Sequence, residues 1–198
     1  MSTVLVKIGD PPYKVNIGCG NNVKDGWLNI DSNFQPGVDI ITDLEEADIC
    51  LPDNSVEVFF LSHILEHIKN ALGLMEELYR IALPDAKMII KVPHGGSDVS
   101  WEDQTHIREY FPGSFRYFSQ PLYWRADYGY KADWQPDMIQ LLLDKERFEN
   151  MDIKEALKVI HKERNAVKEM VCEMSAIKPA RGKDKNEVVN SKILLTLV

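Results

Sequence analysis

The sequence has few cysteines, and none of them lies in a pattern that holds zinc or builds a disulfide framework. Its 198 residues contain three cysteines, Cys19, Cys50 and Cys172, and no two of them form a CxxC pair. An odd number of scattered thiols is typical of a protein in a reducing compartment. We therefore predict a cytoplasmic protein that contains neither a disulfide framework nor a zinc knuckle.

Long hydrophobic runs and an excess of positive charge are also missing. No apolar stretch approaches the roughly 18 residues that a membrane-spanning helix needs, and the first seven residues are too soon interrupted by charge for a signal peptide. The chain has 23 Lys and Arg against 31 Asp and Glu, which gives a net charge of −8. Because binding to a phosphate backbone depends on basic residues, we expect neither a membrane nor nucleic acid as a partner.

What the chain does contain is a series of short apolar segments separated by connections of helical length. In the first half, strands are predicted at 13–17, 27–31, 38–41, 56–61 and 87–92. Residues 70–83 carry apolar side chains at helical spacing and end at Pro84, which predicts an amphipathic helix. This alternation is typical of βαβ units and predicts one α/β domain over residues 1–198 with a mostly parallel sheet.

The second half of the chain has less regular patterns. Residues 94–136 are rich in aromatic residues and have no period. Since a long irregular segment in a compact domain is usually functional, we predict a substrate-side lid that lies over the ligand crevice. The remaining segments predict a helix over 136–148, strands over 153–160 and 192–198, either a helix or a strand over 164–177, and a lead-in over 1–12.

A pair of glycines follows the first predicted strand. Gly18-Cys19-Gly20 comes directly after an apolar segment, and glycine lets the backbone adopt positive φ and approach a ligand closely. The next predicted strand ends in Asp31, which can accept hydrogen bonds from both hydroxyls of a ribose. The order strand, glycine pair, strand, acid predicts a nucleoside cofactor across the strand ends.

The third glycine of the dinucleotide fingerprint is absent. Gly20 is followed by Asn21, Asn22 and Val23, although that glycine is the one that allows a helix to pack closely beneath a pyrophosphate. The sequence therefore favours S-adenosylmethionine (SAM) over NAD. For the adenine edge two acid–aliphatic pairs are open, Asp43-Leu44 and Asp48-Ile49, and we prefer the first because it directly follows the third strand.

Two histidine-containing segments are candidates for the chemistry. In Ser62-His63-Ile64-Leu65-Glu66-His67 the two histidines are four residues apart, which would place them on one face of a helix. No third ligand is evident, so we predict no metal site and expect His67 to be structural. In the aromatic segment, Asp103, His106 and Arg108 form a polar cluster suited to a substrate pocket.

Together these motifs resemble the class I SAM-dependent methyltransferases, and more narrowly the small enzymes of that class similar to those of ubiquinone and menaquinone biosynthesis. The resemblance rests on the segments 15–20, 26–31, 43–44, 51–58, 62–67, 77–84 and 103–115. It implies a Rossmann-like, doubly wound, mostly parallel seven-stranded sheet whose last strand, here 192–198, is antiparallel. Two departures are Asn16, where many of these enzymes have an acid, and Leu83-Pro84-Asp85-Ala86 in place of the usual Lys-Pro-Gly-Gly turn.

The predicted site follows from the motifs and the resemblance together. The cofactor-binding residues are predicted to be Asn16, Gly18, Cys19, Gly20, Asp31, Asp43, Leu44, Ser62 and His63. The substrate-binding residues are predicted to be Asp103, His106 and Arg108. If the acceptor atom is protonated the reaction needs a base, for which histidine suits neutral pH, and we predict His106 first and His63 second.

The predicted function is transfer of a methyl group from SAM to an oxygen, nitrogen or carbon of a small molecule, by in-line displacement. Two alternatives come from other classes. One is a catalytically inactive SAM-fold module that supports a partner protein, and the other is an NAD-dependent enzyme on a related sheet. The glycine pair with Asp31 argues against the first, and the missing third glycine argues against the second.

Overall fold

The strands of the protein form one mixed sheet, and the computed structural model describes it over residues 9–198. The first eight residues of the predicted lead-in lie outside the described residues. The strands are β1 Tyr13–Ile17, β2 Leu28–Asp31, β3 Ile40–Ile41, β4 Val56–Ser62, β5 Ala82–Pro93, β6 Trp134–Leu143, β7 Glu169–Ala176 and β8 Lys192–Leu197. The α-helices are α1 Ala71–Ile81, α2 Val99–Glu102, α3 Lys145–Phe148 and α4 Ile153–Lys162.

The order of the strands across the sheet is β3-β2-β1-β4-β5-β7-β6-β8. Strands β1 to β5 pair in parallel, β7 is antiparallel to both of its neighbours, and β8 pairs in parallel with β6 at the edge. This confirms the Rossmann-like α/β fold. The predicted detail was wrong, because the described sheet has eight strands and its antiparallel member is β7 rather than the last strand.

The elements of the first half follow the sequence pattern closely. Helix α1 begins after Asn70, whose side chain accepts a hydrogen bond from Gly73 N at 3.2 Å and so caps the helix. Strand β5 is longer than predicted, since it includes the segment 83–86 that departs from the expected turn. There Asp85 has a φ of 62°, and the pairing of β4 with β5 shifts register between Val56 and Val58.

Two elements of the second half differ from the prediction. Residues 136–148 are not one helix, because β6 buries alternate side chains, among them Ile139, Leu141 and Leu143, and a register shift beside Pro136 accommodates the proline. Residues 153–160 are helix α4 rather than a strand. Their apolar residues fit either period, and Asp152, which accepts a hydrogen bond from Glu155 N at 2.8 Å, caps the helix.

The aromatic segment 94–136 supplies both core and surface. Trp134 is fully buried, lies edge-on to Phe59 with ring centroids 5.7 Å apart, and donates a hydrogen bond from Nε1 to Met75 O at 3.0 Å. Tyr110 is also buried and donates to Leu65 O at 3.3 Å, which attaches this segment to the turn after β4. Trp101 and Tyr128 are exposed, so the segment is partly core and partly surface, and its role as a lid stays a prediction.

A buried ion pair joins the end of the aromatic segment to the chain after β7. Asp133 is fully buried and accepts hydrogen bonds from Arg181 Nε at 2.7 Å and from Arg181 Nη2 at 2.8 Å. The Gln120 backbone N–H donates to the same carboxylate at 3.1 Å. Two connections distant in sequence are thereby fixed to one another. Among the described residues, no helix combines the length and the apolar character needed to cross a membrane.

Candidate active site

A cavity of about 310 Å³ lies at the carboxyl ends of the first strands. Gly18 follows β1, Asp31 ends β2, and Asp43 and Leu44 follow β3, while Ile64 and Ile68 come from the turn after β4. Open α/β sheets bind their ligands at this edge, and the volume is near the lower end of the range for small-molecule sites. The structure thus brings the predicted strand-end residues to one place.

Gly18 of the glycine pair lines this cavity. Gly18 has a φ of +60°, and a Cβ added there would lie 2.1 Å from Ile64 Cδ1. Gly20 has a φ of +49°, and a Cβ there would meet nothing within 4 Å, so its backbone faces open space. A side chain at position 18 would therefore displace Ile64 from the cavity wall, and glycine is required there by both conformation and close approach.

Asp31 is held in a fixed orientation at the carboxyl end of β2. It is 8% exposed, and its Oδ2 accepts a hydrogen bond from Gly20 N at 2.8 Å while Oδ1 accepts from Asn33 N at 3.0 Å. Because each carboxylate oxygen has a further lone pair, both can accept a hydrogen bond from a ligand hydroxyl. The glycine pair and the acid are thus one hydrogen-bonded unit.

Asn16 and Cys19 lie behind this unit. Asn16 Nδ2 donates to Asn22 O and to Asn29 Oδ1, both at 2.9 Å, which ties the loop after β1 to β2. Cys19 is buried, and its burial raises the pKa of the thiol. Neither side chain is among those that line the cavity. Their direct contact with a cofactor stays a prediction, and the geometry gives them a supporting role.

The cavity contains the first of the two candidate acid–aliphatic pairs. Asp43 and the buried Leu44 line it, whereas Asp48 does not. The neighbouring Ile49 N–H instead donates to Glu77 Oε1 of α1 at 2.8 Å, so that segment faces the helix. The geometry therefore favours Asp43 at the adenine edge, as preferred from the sequence.

Sequence reasoning missed Glu45 as a cavity residue. Its Oε1 accepts a hydrogen bond from Lys69 N at 2.8 Å, and its Oε2 accepts from Asn70 N at 3.0 Å. These bonds hold the loop after β3 against the start of α1. Nothing in the sequence signals them, because the partners are more than twenty residues apart.

His63 follows β4 in a strained turn, and its imidazole contacts two carboxylates. Its φ is 56°, its Nε2 donates to Glu169 Oε1 at 2.7 Å, and its Nδ1 lies 3.3 Å from Glu66 Oε1. The hydrogen bond to Glu169, together with the Glu66 carboxylate, raises the pKa of His63 to about 9. An imidazole with this pKa is protonated at neutral pH, so the geometry favours an ion-pairing role over that of a general base.

His106 lies in a different environment beside the cavity. Its ring centroid is 4.7 Å from that of His67, which lines the cavity. Its Nε2 is 3.8 Å from Asp103 Oδ2, and Thr105 donates to Asp103 from its backbone N–H and from its hydroxyl, which lowers the pKa of that carboxyl. The structure thus brings the predicted cluster of Asp103 and His106 to the cofactor cavity and adds His67 to it.

Arg108 lines a second cavity of about 310 Å³, on the far side of the segment 67–70. Its walls are aromatic, formed by Tyr110, Tyr117, Phe118, Tyr123 and Tyr128. Lys69 lines it as well, and Arg108 Nη2 donates to Lys69 O at 3.4 Å. Consecutive residues of one segment therefore line the two cavities, 67–68 the first and 69–72 the second.

Part of the chain matches a known protein family. Residues 19–90 match the family model described as a methyltransferase domain, and this range includes Gly20, Asp31, Asp43 and the turn after β4. This match, over 72 of the 198 residues, and the fold of the sheet support a class I SAM-dependent methyltransferase. The chain is thus a methyltransferase whose cofactor is SAM. The search of curated proteins found no match.

Several solved structures with the same fold are described as methyltransferases, and their sequence identity to this chain is low. A SAM-dependent methyltransferase from Archaeoglobus fulgidus matches at 16% identity with a TM-score of 0.58, over 83% of this chain and 86% of that one. One from Thermotoga maritima matches at 11% and 0.52, over 85% and 83%. A chain of the Haloferax volcanii complex between the Trm112 methyltransferase activator and a methyltransferase also matches at 11% and 0.52, over 86% and 84%.

The charge and the apolar surface of the cavity lining suit SAM. Asp31 offers acceptors for the ribose hydroxyls, and Leu44, Ile64 and Ile68 offer apolar surface for the adenine. The acidic side chains of Asp31, Asp43 and Glu45 line the same cavity, which favours a ligand that carries a sulfonium and an ammonium. Ser62 and His63 end the neighbouring strand, and their contact with SAM stays a prediction.

Proposed function

We propose that this methyltransferase acts on a small planar molecule that carries an acidic group, bound in the aromatic cavity. The observation that carries the proposal is the position of that cavity, which shares the segment 67–70 with the cofactor cavity. A methyl donor in one cavity and an acceptor in the other would lie next to each other along this segment.

The lining of the aromatic cavity supports the class of acceptor. Aromatic side chains pack well against planar rings, and two of those that line this cavity, Tyr117 and Tyr128, are exposed. The cations Lys69 and Arg108 lie at the same cavity and are exposed as well. A guanidinium recognises a carboxylate or phenolate with paired hydrogen bonds, so an anionic aromatic acceptor satisfies both features.

The chain's contribution to the reaction is mainly to position the reactants. SAM, when bound, supplies a methyl group on a sulfonium that is already activated for displacement. Alignment of two reactants can lower a barrier by about 7–11 kcal/mol. For a protonated acceptor, we propose His106 as the proton-accepting residue. Its Nδ1 donates to Ser100 O at 3.0 Å, which leaves the lone pair on Nε2.

The first experiment measures binding of S-adenosylhomocysteine by isothermal titration. We expect micromolar affinity for the native protein and at least a tenfold loss for Asp31→Asn, because one hydroxyl acceptor of the ribose is weakened. Asp48→Asn is the matched control, since Asp48 is an exposed acid of the same strand-end region that does not line the cavity. Absence of binding in the native protein would instead favour the inactive-module alternative.

The second experiment tests the acceptor class with radiolabelled SAM. Hydroxylated benzoates are compared with the corresponding benzamides, which keep the ring and lose the charge. We expect Arg108→Gln to raise KM for the benzoates about tenfold and to leave KM for the benzamides unchanged. Arg164→Gln, which removes an exposed arginine paired with Asp98, is the control. Equal turnover of both series by the native protein would refute the anionic acceptor.

A further inference from the structure

The turn after β4 and the aromatic segment together form a cluster that neither segment forms alone. Glu66 and His67 come from the turn, and His106 comes from the aromatic segment. One candidate ligand atom from each of these three side chains lies within 4.8 Å of those of the other two. The two backbones are fixed at this point, because Ile107 N donates to Glu66 O at 2.9 Å.

The buried Glu66 carboxylate is only partly compensated by the described residues around it. The residue is 1% exposed, and neither carboxylate oxygen accepts a hydrogen bond within the part of the chain that the structure describes. His63 Nδ1 is in ionic contact with Oε1 at 3.3 Å, which leaves Oε2 without a cation in contact. Because a buried carboxylate is costly unless it is paired or binds a metal, this residue points to a positively charged ligand.

Both histidines are oriented as metal ligands usually are. His106 Nδ1 donates to Ser100 O at 3.0 Å, and His67 Nδ1 lies 3.0 Å from Thr105 Oγ1 and 3.3 Å from Thr105 O. Thr105 Oγ1 donates its own hydrogen to Asp103, so it accepts from His67. Both rings therefore carry the lone pair on Nε2. Histidines that bind metals commonly donate the other ring N–H to a carbonyl or an oxygen in this way.

We propose that Glu66, His67 and His106 form a binding site for a divalent transition-metal cation, with Zn²⁺ as the best match. Two imidazoles and one carboxylate are a known ligand set of catalytic zinc, and this set leaves a position open to water or a substrate. Ligand distances of about 2.0–2.2 Å place the ligand atoms roughly 3.4 Å apart. Because the ligand atoms now lie within 4.8 Å of one another, the side chains would close by up to about 1.4 Å around the ion.

The site would lie at the wall of the cofactor cavity, since His67 lines that cavity. A cation there would bind the acceptor's hydroxyl and lower its pKa, a use that rests on the proposed function. In that case His106 binds the metal and does not accept the acceptor's proton. The bound cation then favours loss of that proton. The binding of the cation itself does not depend on the acceptor or on SAM.

The test titrates the metal-free full chain with ZnCl₂, and with CoCl₂ as a spectroscopic probe, in the absence of SAM. We expect one equivalent of Zn²⁺ at micromolar affinity or tighter, and visible Co²⁺ absorption of a site with nitrogen and oxygen ligands. Glu66→Gln, His67→Gln and His106→Gln should each weaken binding at least 100-fold. His161→Gln is the control, because His161 is an exposed histidine of α4.

Two further measurements keep the result interpretable. Circular dichroism and binding of S-adenosylhomocysteine show whether each variant is folded, so that loss of metal is not mistaken for unfolding. Thr105→Val removes the hydroxyl beside His67 and keeps all three ligands, and we expect it to weaken Zn²⁺ binding about tenfold. No binding by the native protein, or binding that survives all three ligand substitutions, would overturn the proposal even if methyl transfer is observed.

Discussion

The ion pairs of His63 predict that the stability of the protein changes with pH as this one side chain titrates. His63 Nε2 donates to Glu169 Oε1 at 2.7 Å, Glu169 Oε2 is 2.9 Å from Lys91 Nζ, and Glu66 lies on the other side of the imidazole. This surrounding raises the pKa of His63 from 6.5 to about 9. The hydrogen bond from His63 also lowers the pKa of Glu169.

The magnitude follows from the shift and from the exposure of the side chain. If the whole shift contributed to folding, it would correspond to about 3 kcal/mol at low pH. The His63 side chain is 44% exposed, so solvent screening reduces the contribution to about 1 kcal/mol. Because the folded pKa is raised, this stabilisation is fully present below pH 6.5 and is lost as pH rises through about 9.

The assay is urea unfolding of the native protein and of His63→Gln at several pH values between 6 and 10. Other titrating groups are common to both proteins and cancel in the difference. We expect His63→Gln to be less stable by about 1 kcal/mol at pH 6 and by progressively less toward pH 10. A difference that does not change with pH would refute the reasoning, because it would show that packing rather than charge stabilises this turn.

Two more predictions concern the glycine pair and the buried acid. Gly18→Ala should abolish binding of S-adenosylhomocysteine and destabilise the protein by about 1–2 kcal/mol, because Ile64 must move. Gly129→Ala is the control, since Gly129 has a φ of +85° and no atom lies near an added Cβ. We expect that control to lower stability and to leave binding of S-adenosylhomocysteine unchanged. Arg181→Met should lower the free energy of unfolding by about 3–5 kcal/mol, since it leaves the Asp133 carboxylate buried without its partner. Adding Asp133→Asn should recover much of that loss in the same urea experiment.

The sequence predicted the first half of the sheet well, and it placed the glycine pair and Asp31 at neighbouring strand ends, because the relevant signals are local. The strand before Gly18, the glycine pair and the strand ending in Asp31 lie within 19 residues, and each has a physical requirement that few residue types meet. The helix over 71–81 was likewise set by its own apolar face and by its Asn70 cap. In these segments short-range propensity and tertiary packing favour the same structure.

The second half could not be assigned in this way. Residues 134–143 and 169–176 become adjacent strands, and their pairing gives β6 its period of two. A local reading of Met138, Ile139, Leu141 and Leu142 fits a helix equally well, because short apolar segments suit both periods. Helix α4 presents the reverse case, in which a capping aspartate outweighs an apolar run that also suits a strand.

The sequence by itself determined that a glycine pair and an acid stand at neighbouring strand ends of an α/β sheet. The tertiary structure alone decided how the histidines are used. His63 meets Glu169, 106 residues away, while His67 meets Thr105 and His106 some 38 residues later. The order of the strands and the path of the aromatic segment create these contacts, and neither is encoded in the spacing of the residues concerned.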